Sequence, residues 1–458
     1  MTLATLASSS GMRAFHHRNY RLFYAGQSIS LIGTWMQSVA QSWLILGLTG
    51  DPLYLGVVAA AQFTPVLLFG LFGGVIADAV PKRGTLIATQ STMMALALIL
   101  WALTAAGVVQ VWMILVLALL LGIANAVDMP VRQAFSVEMV GREDVGNAVA
   151  LNSAMFNSAR IIGPAVAGLT IGVAGVAIAF LLNGVSYLAV IGGLFLMRDE
   201  ELRLPPPSPR PRTPRAVVDS LAEGLRYVRA TPVVLLAILV IAVVATFGMN
   251  FTVLVPAYTK EVLGADAAAY GFLMSASGIG SLLAALWIAF HATGDPRLLV
   301  GGALLLGVAE TALAWVGAMP VALALMFLVG VGAIAMTATA NTAIQLAVPD
   351  VLRGRVISVY TTVFAGSTPI GGLIIGAVAS GLGVPAAFLI GGGISAIGAL
   401  AAIVWLRFAG GHARVVPVRA RIVLPSQVAP TTGHPEALLP GTAPEPVVVG
   451  ERRGSIGD

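Results

Sequence analysis

Two ionisable side chains interrupt stretches that are otherwise apolar. Arg160 stands in NSARIIGPAVAG and Glu310 in LLLGVAETALAW. A guanidinium keeps its proton under all ordinary conditions. Arg160 therefore suits orienting an anion or neutralising a buried acid, or else a structural bridge or a snorkelling role. Glu310 can gain and lose a proton, and a carboxyl reached alternately from two sides can couple solute movement to protons. Its plainer reading is an acid near an interface, hydrated by a vestibule.

Amides and hydroxyls form a second set. Gln27, Ser30, Thr34, Gln37, Ser38 and Gln41 recur every three to four positions, so they share one helix face. Such a face avoids lipid; it lines a water-filled path or cross-links helices. In NAVDMPVRQAF, Asn125 and Asp128 lie on one side of a helix that Pro130 is expected to break. They form a polar network at a gate or a capping pattern at a loop entry. Asn152 or Asn157 can orient Arg160, and the pair Gly163-Pro164 bends its helix or permits close packing. In GGVIADAVPKRG, Gly74 allows close packing and Asp78 falls at a helix C-terminal end, where the dipole disfavours a carboxylate. A basic partner would compensate it, and Arg132 is the nearest by topology. Lys82 and Arg83 are expected at headgroup level. The group reads as a latch between conformational states or as ordinary loop charge.

Several chemistries are absent. No GxxxxGK[ST] phosphate loop and no HExxH occur, and the five histidines are scattered. With no cysteine, thiolate metal sites and cysteine catalysis are excluded. Isolated serines such as Ser136 have no evident nucleophile partners. No cofactor, metal or catalytic centre is expected.

The elements that must position these residues are membrane helices. Of the 458 residues, 58% are hydrophobic and only 10% are Asp, Glu, Lys or Arg, against about 25% charged in soluble domains. Apolar segments fall near 20–48, 54–77, 84–107, 109–129, 148–170 and 174–197, and again near 233–258, 268–290, 298–317, 320–346, 356–380 and 384–408. Each is long enough to span a bilayer as a helix, which takes about 20 residues. If the first residues are cytoplasmic, all but two of the 25 Lys and Arg fall on that side, the exceptions being Lys260 outside and Arg160 within a span. That bias accounts for the net charge of +5 without nucleic acid. The expected fold is all-α, with twelve transmembrane helices in two pseudo-symmetric six-helix halves and both termini cytoplasmic.

The expected parts are a cytoplasmic segment (1–19), a first half (20–197), a cytoplasmic linker (198–232), a second half (233–408) and a disordered cytoplasmic tail (409–458). In the linker, PPPSPRPRTPR is a stiff basic run. AVVDSLAEGLRYVRA follows as an amphipathic surface helix, with Val218, Leu221, Leu225 and Val228 on its apolar side. The halves repeat. An offset of 208 places Gly146, Phe156, Gly163 and Gly168 on Gly354, Phe364, Gly371 and Gly376, and an offset of 215 places Asp51 and Gly56 on Asp266 and Gly271. Duplicated halves around a central cavity are the layout of an alternating-access carrier.

These motifs resemble the major facilitator superfamily over residues 15–408. GVIADAVPKR is similar to its motif between helices two and three, with Gly74, Asp78, Lys82 and Arg83 in matching places. Ala79 and Pro81 depart from it. ARIIGPAVAG resembles the antiporter motif of helix five, matching at Gly163, Pro164 and Gly168. RNYRLFYAGQSISLIGTWM, DMPVRQAF and NAVALNSAMFNSARIIGPAVAG resemble the enterobactin-exporter and macrolide-efflux branch of bacterial efflux transporters. The resemblance implies a proton-driven efflux carrier of the bacterial inner membrane, with a small-molecule substrate, working as a monomer in the lipid bilayer. Import, or a sensor or structural membrane protein without flux, are the alternatives.

Overall fold

The structure is a computed structural model that describes residues 10–70, 72, 73, 77, 80–203, 214–291 and 294–408. The expected positions Gly74 and Asp78 and the stretch 409–458 lie outside the described residues. No strand occurs among the described residues. The first half comprises α1 (Arg18–Thr49), α2 (Leu53–Gly70), α3 (Lys82–Ala105), α4 (Val111–Ala174) and α5 (Val176–Phe195). The linker helix is α6 (Pro214–Ala230). The second half comprises α7 (Pro232–Phe247), α8 (Phe251–Glu261), α9 (Ala267–His291), α10 (Pro296–Leu313), α11 (Met319–Ala347), α12 (Asp350–Leu382) and α13 (Val384–Phe408).

Among the described residues, ten helices or helix pairs are long and apolar enough to cross a membrane. The count of twelve follows from two details. α4 has 64 residues, about twice what a span needs, and its chain reverses at Gly141, whose φ of 76° requires a glycine. The parts before and after Gly141 are here called α4N and α4C. α1 has 32 residues; its amides and hydroxyls lower its hydropathy but not its reach.

Two local expectations are corrected. Pro130 does not end its helix: α4N continues past it to Val140, and the proline ring is accommodated against Gly73. The span expected at 233–258 is broken, because α7 stops at Phe247 and α8 starts at Phe251.

Small residues let the helices approach within each half, which is the main route to packing when lipid is as apolar as the side chains. Gly26 and Gly33 of α1 lie against Ala189, Asn183 and Ser186 of α5, while Gly307 and Gly392 bring α10 and α13 together. The linker helix docks on the second half. Val228 is buried, Tyr227 donates to the Ala347 carbonyl at 3.1 Å, and Glu223 pairs with Arg355. Leu225 stays exposed.

Candidate functional site

The two halves meet along α4C–α9 and α2–α12. Gly168 of α4C lies on the backbone of Ala267 and Ala268, and Gly376 of α12 on Pro52 and Leu53. Gly56 faces the Gly372 carbonyl and Gly271 the Pro164 carbonyl. Ser275 donates to the Ile161 carbonyl at 2.7 Å, and Lys260 Nζ to the Leu46 carbonyl at 3.2 Å. Trp43 stacks on Tyr270 with centroids 6.3 Å apart. These contacts belong to the end of the bundle opposite Lys82, Arg83, Arg142 and Arg353, and they close it.

Toward the basic end the same two helices turn polar and accessible. On α4C, Ser153 is exposed and Asn157 half-buried; on α12, Ser358 and Thr361 are exposed. Phe156 is 47% exposed, whereas Ala167 and Gly168 further along α4C are buried. Hydroxyls and amides at this depth imply water, not lipid, beside them.

Arg160 sits where the closed and open parts of α4C meet. It shares a stripe with Phe156 and Gly163, at helical spacing. That stripe faces α1: Phe156 meets Trp35 edge-on at 5.7 Å, and Gly163 lies against Trp35 and Ile32. The neighbouring stripe, Ile161 and Pro164, faces Gly278 and Gly271 of α9. Arg160 is half-buried between these helices, and no acidic residue pairs with it among the described residues. The Asn157 amide, a sequence candidate for orienting it, donates instead to the Ser153 carbonyl at 2.9 Å.

The polar face of α1 mostly joins helices. Gln27, Ser30, Gln37 and Gln41 are buried, and Gln37 accepts from Asn183 Nδ2 at 2.5 Å. Thr34 is the exposed member, its hydroxyl donating to the Ser30 carbonyl at 3.0 Å. Asn183 was not singled out in the sequence; lone polar residues in an apolar helix carry no address until a partner helix is known.

At the basic end, ion pairs bind the first half to itself. Lys82 Nζ lies 2.7 Å from the buried Glu138 carboxylate of α4N. Arg83 pairs with Asp199 at 2.5 Å and donates to the Leu194 carbonyl at the end of α5, a favourable place for a cation. Asp128 accepts from Thr89 at 2.8 Å and Gln90 at 2.9 Å, and Arg132 Nε lies 3.3 Å from it. Arg132 thus holds Asp128 one turn away, while its expected partner Asp78 lies outside the described residues. Asn125 does not join them; its amide donates to the Leu121 carbonyl. Glu138 and Asp199 escaped sequence reading, since acids near a basic loop look like ordinary surface charge.

Glu310 is remote from Arg160 in packing. It lies inside the second half, against Gly248 and near Ser395. Among the described residues no group of three or more His, Asp or Glu is placed to hold a metal.

Comparison with known proteins agrees with this architecture. Residues 9–422 match the family described as "Transmembrane secretion effector". The chain is 25% identical over 267 residues to the staphyloferrin A transporter of Staphylococcus aureus, covering 58% of this chain and 66% of that one. It is 28% identical over 370 residues to the multidrug efflux pump Tap of Mycolicibacterium fortuitum, covering 78% and 88%. A crystal structure of a POT family transporter in complex with a thioalcohol-conjugated peptide superposes with TM-score 0.68 at 12% identity, covering 86% of this chain and 96% of that one. These relatives differ in what their names say they move, and no single branch stands out. An all-helical bundle of two like halves, closed at one end, and a family match over nearly its whole length make this chain a member of the transmembrane secretion effector family, a multi-pass membrane transporter of the major facilitator superfamily.

Proposed function

We propose that this transporter exports an amphiphilic small molecule by proton-coupled alternating access across a bacterial inner membrane. It acts as a monomer with its basic end and both termini in the cytoplasm. One observation carries the reading: Arg160, a cation without an acidic partner among the described residues, stands at the head of a polar opening toward the basic end. An unpaired guanidinium between helices is costly beside lipid and suits an anionic or strongly polar group of a solute. Trp35, Phe156, Tyr360 and Phe364 offer aromatic surface on the same helices for the solute's apolar part. The staphyloferrin A transport and multidrug efflux named for the relatives support small molecules as cargo.

In this reading Thr34, Asn157 and Arg160 contact the solute, while Gln27, Ser30, Gln37, Gln41 and Asn125 shape the helices behind them. Gly163 and Pro164 serve the closure against α1 and α9. Asp78, with Gly74, Lys82, Arg83, Asp128 and Arg132, controls the basic-end gate, and Glu310 is the coupling acid. The positive-inside bias supports the orientation.

The test is flux in proteoliposomes with an imposed pH gradient, across a panel of anionic, neutral and cationic amphiphiles. Accumulation against a gradient that collapses with the proton gradient is the expected result. Coupled movement in the opposite sense would make the protein an importer. No proton-dependent flux across the panel would leave a transporter-like sensor.

A further inference from the structure

Glu310 is fully buried in α10, and neither of its carboxyl oxygens has a hydrogen-bond partner among the described residues. Buried polar atoms without partners are rare and call for a function. Its surroundings are specific. A Cβ placed on Gly248 would stand 3.0 Å from Glu310 Oε2 and 2.6 Å from Ser395 Oγ, so carboxyl and hydroxyl converge on that glycine. Gly248 caps α7, and Asn250 precedes α8. The interruption leaves the last carbonyls of α7 without helical donors. The Asn250 amide takes one of them, Thr246 O, at 2.8 Å, and the Phe247 carbonyl faces Gly391 of α13.

A carboxylate beside the carbonyl end of a helix meets more negative potential. Among the described residues no basic side chain relieves it. α7 and α11 carry no ionisable residue. On α10 the one base, Arg297, is in the first turn, thirteen positions or about 20 Å away. On α13 Arg407 is in the last turn. α12 reaches the joint through Gly371, and its ionisable residues lie at Tyr360 or earlier. On α8, Tyr258 donates to the Val316 carbonyl at 2.6 Å, and Lys260 and Glu261 lie at the far end. Oxygen ligands with net negative charge and no counter-ion are the chemistry of a small monovalent cation.

The joint also has a lever. α8 is the part of this span that reaches the closed end, where Lys260 Nζ donates to the Leu46 carbonyl of α1. A change of angle at Gly248–Asn250 moves that contact. In the structure the carboxyl is fully enclosed without a counter-ion while the end is closed, so a neutralised site goes with closure.

We propose that Glu310, Ser395 and the α7–α8 joint form a monovalent-cation site, filled by a proton in the working cycle, whose occupancy sets the angle of α8 and thereby the closure of α8 on α1. Emptying the site leaves a buried carboxylate, which draws water into the joint and swings α8 off α1. The inference rests on the transport reading for its coupling ion, yet the gate can be followed without any substrate.

The chain has no cysteine, so Leu48 and Glu261 replaced by cysteine carry a clean spin-label pair across the closure. Glu261→Cys also removes one acid at the closure, and Asp51, which stays, is common to the parent and the Glu310 variants. In nanodiscs, the pair should move apart by several ångströms as pH rises. Glu310→Gln should hold it at the short distance throughout, and Glu310→Asp, which keeps the carboxyl, should restore the response and show that the fold is intact. A parent that ignores pH, or a Glu310→Gln protein that still opens, overturns the proposal. A response to Na+ at fixed pH in place of one to pH overturns the proton assignment. Absent flux with the Glu310-dependent opening intact sinks the transport reading and leaves this one standing.

Discussion

Gly56 of α2 packs directly against the Gly372 carbonyl of α12, and Gly271 of α9 packs in the same way against the Pro164 carbonyl of α4C. The two contacts are images of each other. Gly56 and Gly271 are 215 positions apart, and Pro164 and Gly372 are 208 apart, the offsets at which the halves repeat. The closed end is therefore built twice from one device: a glycine of one half under a backbone carbonyl of the other.

That symmetry predicts that crowding either contact acts in one direction. Gly56→Val and Gly271→Val each place methyl groups where a carbonyl already sits. Both should hold the closed end apart and raise labelling of a cysteine at Leu48 from the face opposite the basic loops. Opposite effects from the two variants would show that the contacts are not equivalent parts of one closure.

The orientation is open to direct labelling. Cysteines at Val108, which is 54% exposed in the turn after α3, and at Glu200, exposed beyond α5, should react from opposite faces of the membrane. The Glu200 site is expected to be protected from impermeant reagent added outside intact cells. Labelling of both positions from one face would contradict the topology.

Lys82 and Glu138 form a largely enclosed ion pair, their side chains being 15% and 5% accessible. Lys82→Met strands a buried carboxylate and should cost about 3 kcal/mol of stability. The double variant Lys82→Met/Glu138→Leu removes both charges and should recover most of that loss. Thermal unfolding in detergent compares them; a double variant no better than the single one would place the stabilisation elsewhere.

Arg160→Leu should lower transport by roughly tenfold or more if the guanidinium orients an anionic group, since a charge-assisted contact is among the stronger polar ones. The informative comparison is a carboxylate substrate against its neutral ester. Arg160→Leu should penalise the acid far more than the ester, and Arg160→Lys should preserve part of the difference. An equal loss for both would make Arg160 a structural residue.

Much of the architecture was legible in the residues themselves. A bilayer demands about 20 apolar residues per helix and a basic cytoplasmic side, so the number of spans and their alternation follow from composition along the chain. The duplication was legible too, because glycines such as Gly163 and Gly371 recur at fixed offsets. Pro130 misled, since a proline that ends a helix in water is tolerated where a neighbour such as Gly73 makes room. What only the tertiary structure decided is which polar groups meet. Periodicity shows that Gln37 shares a face with Gln41, but not that Gln37 meets Asn183 of α5. It marks Lys82 as basic, but not as the partner of Glu138. Likewise Glu310 stood out as an acid in an apolar helix, while the broken α7–α8 joint beside it had no sequence signal apart from Gly248 and Asn250. The physical reason is rotational. Spacing along a helix assigns residues to a common face, whereas the direction of that face depends on how distant helices pack around it.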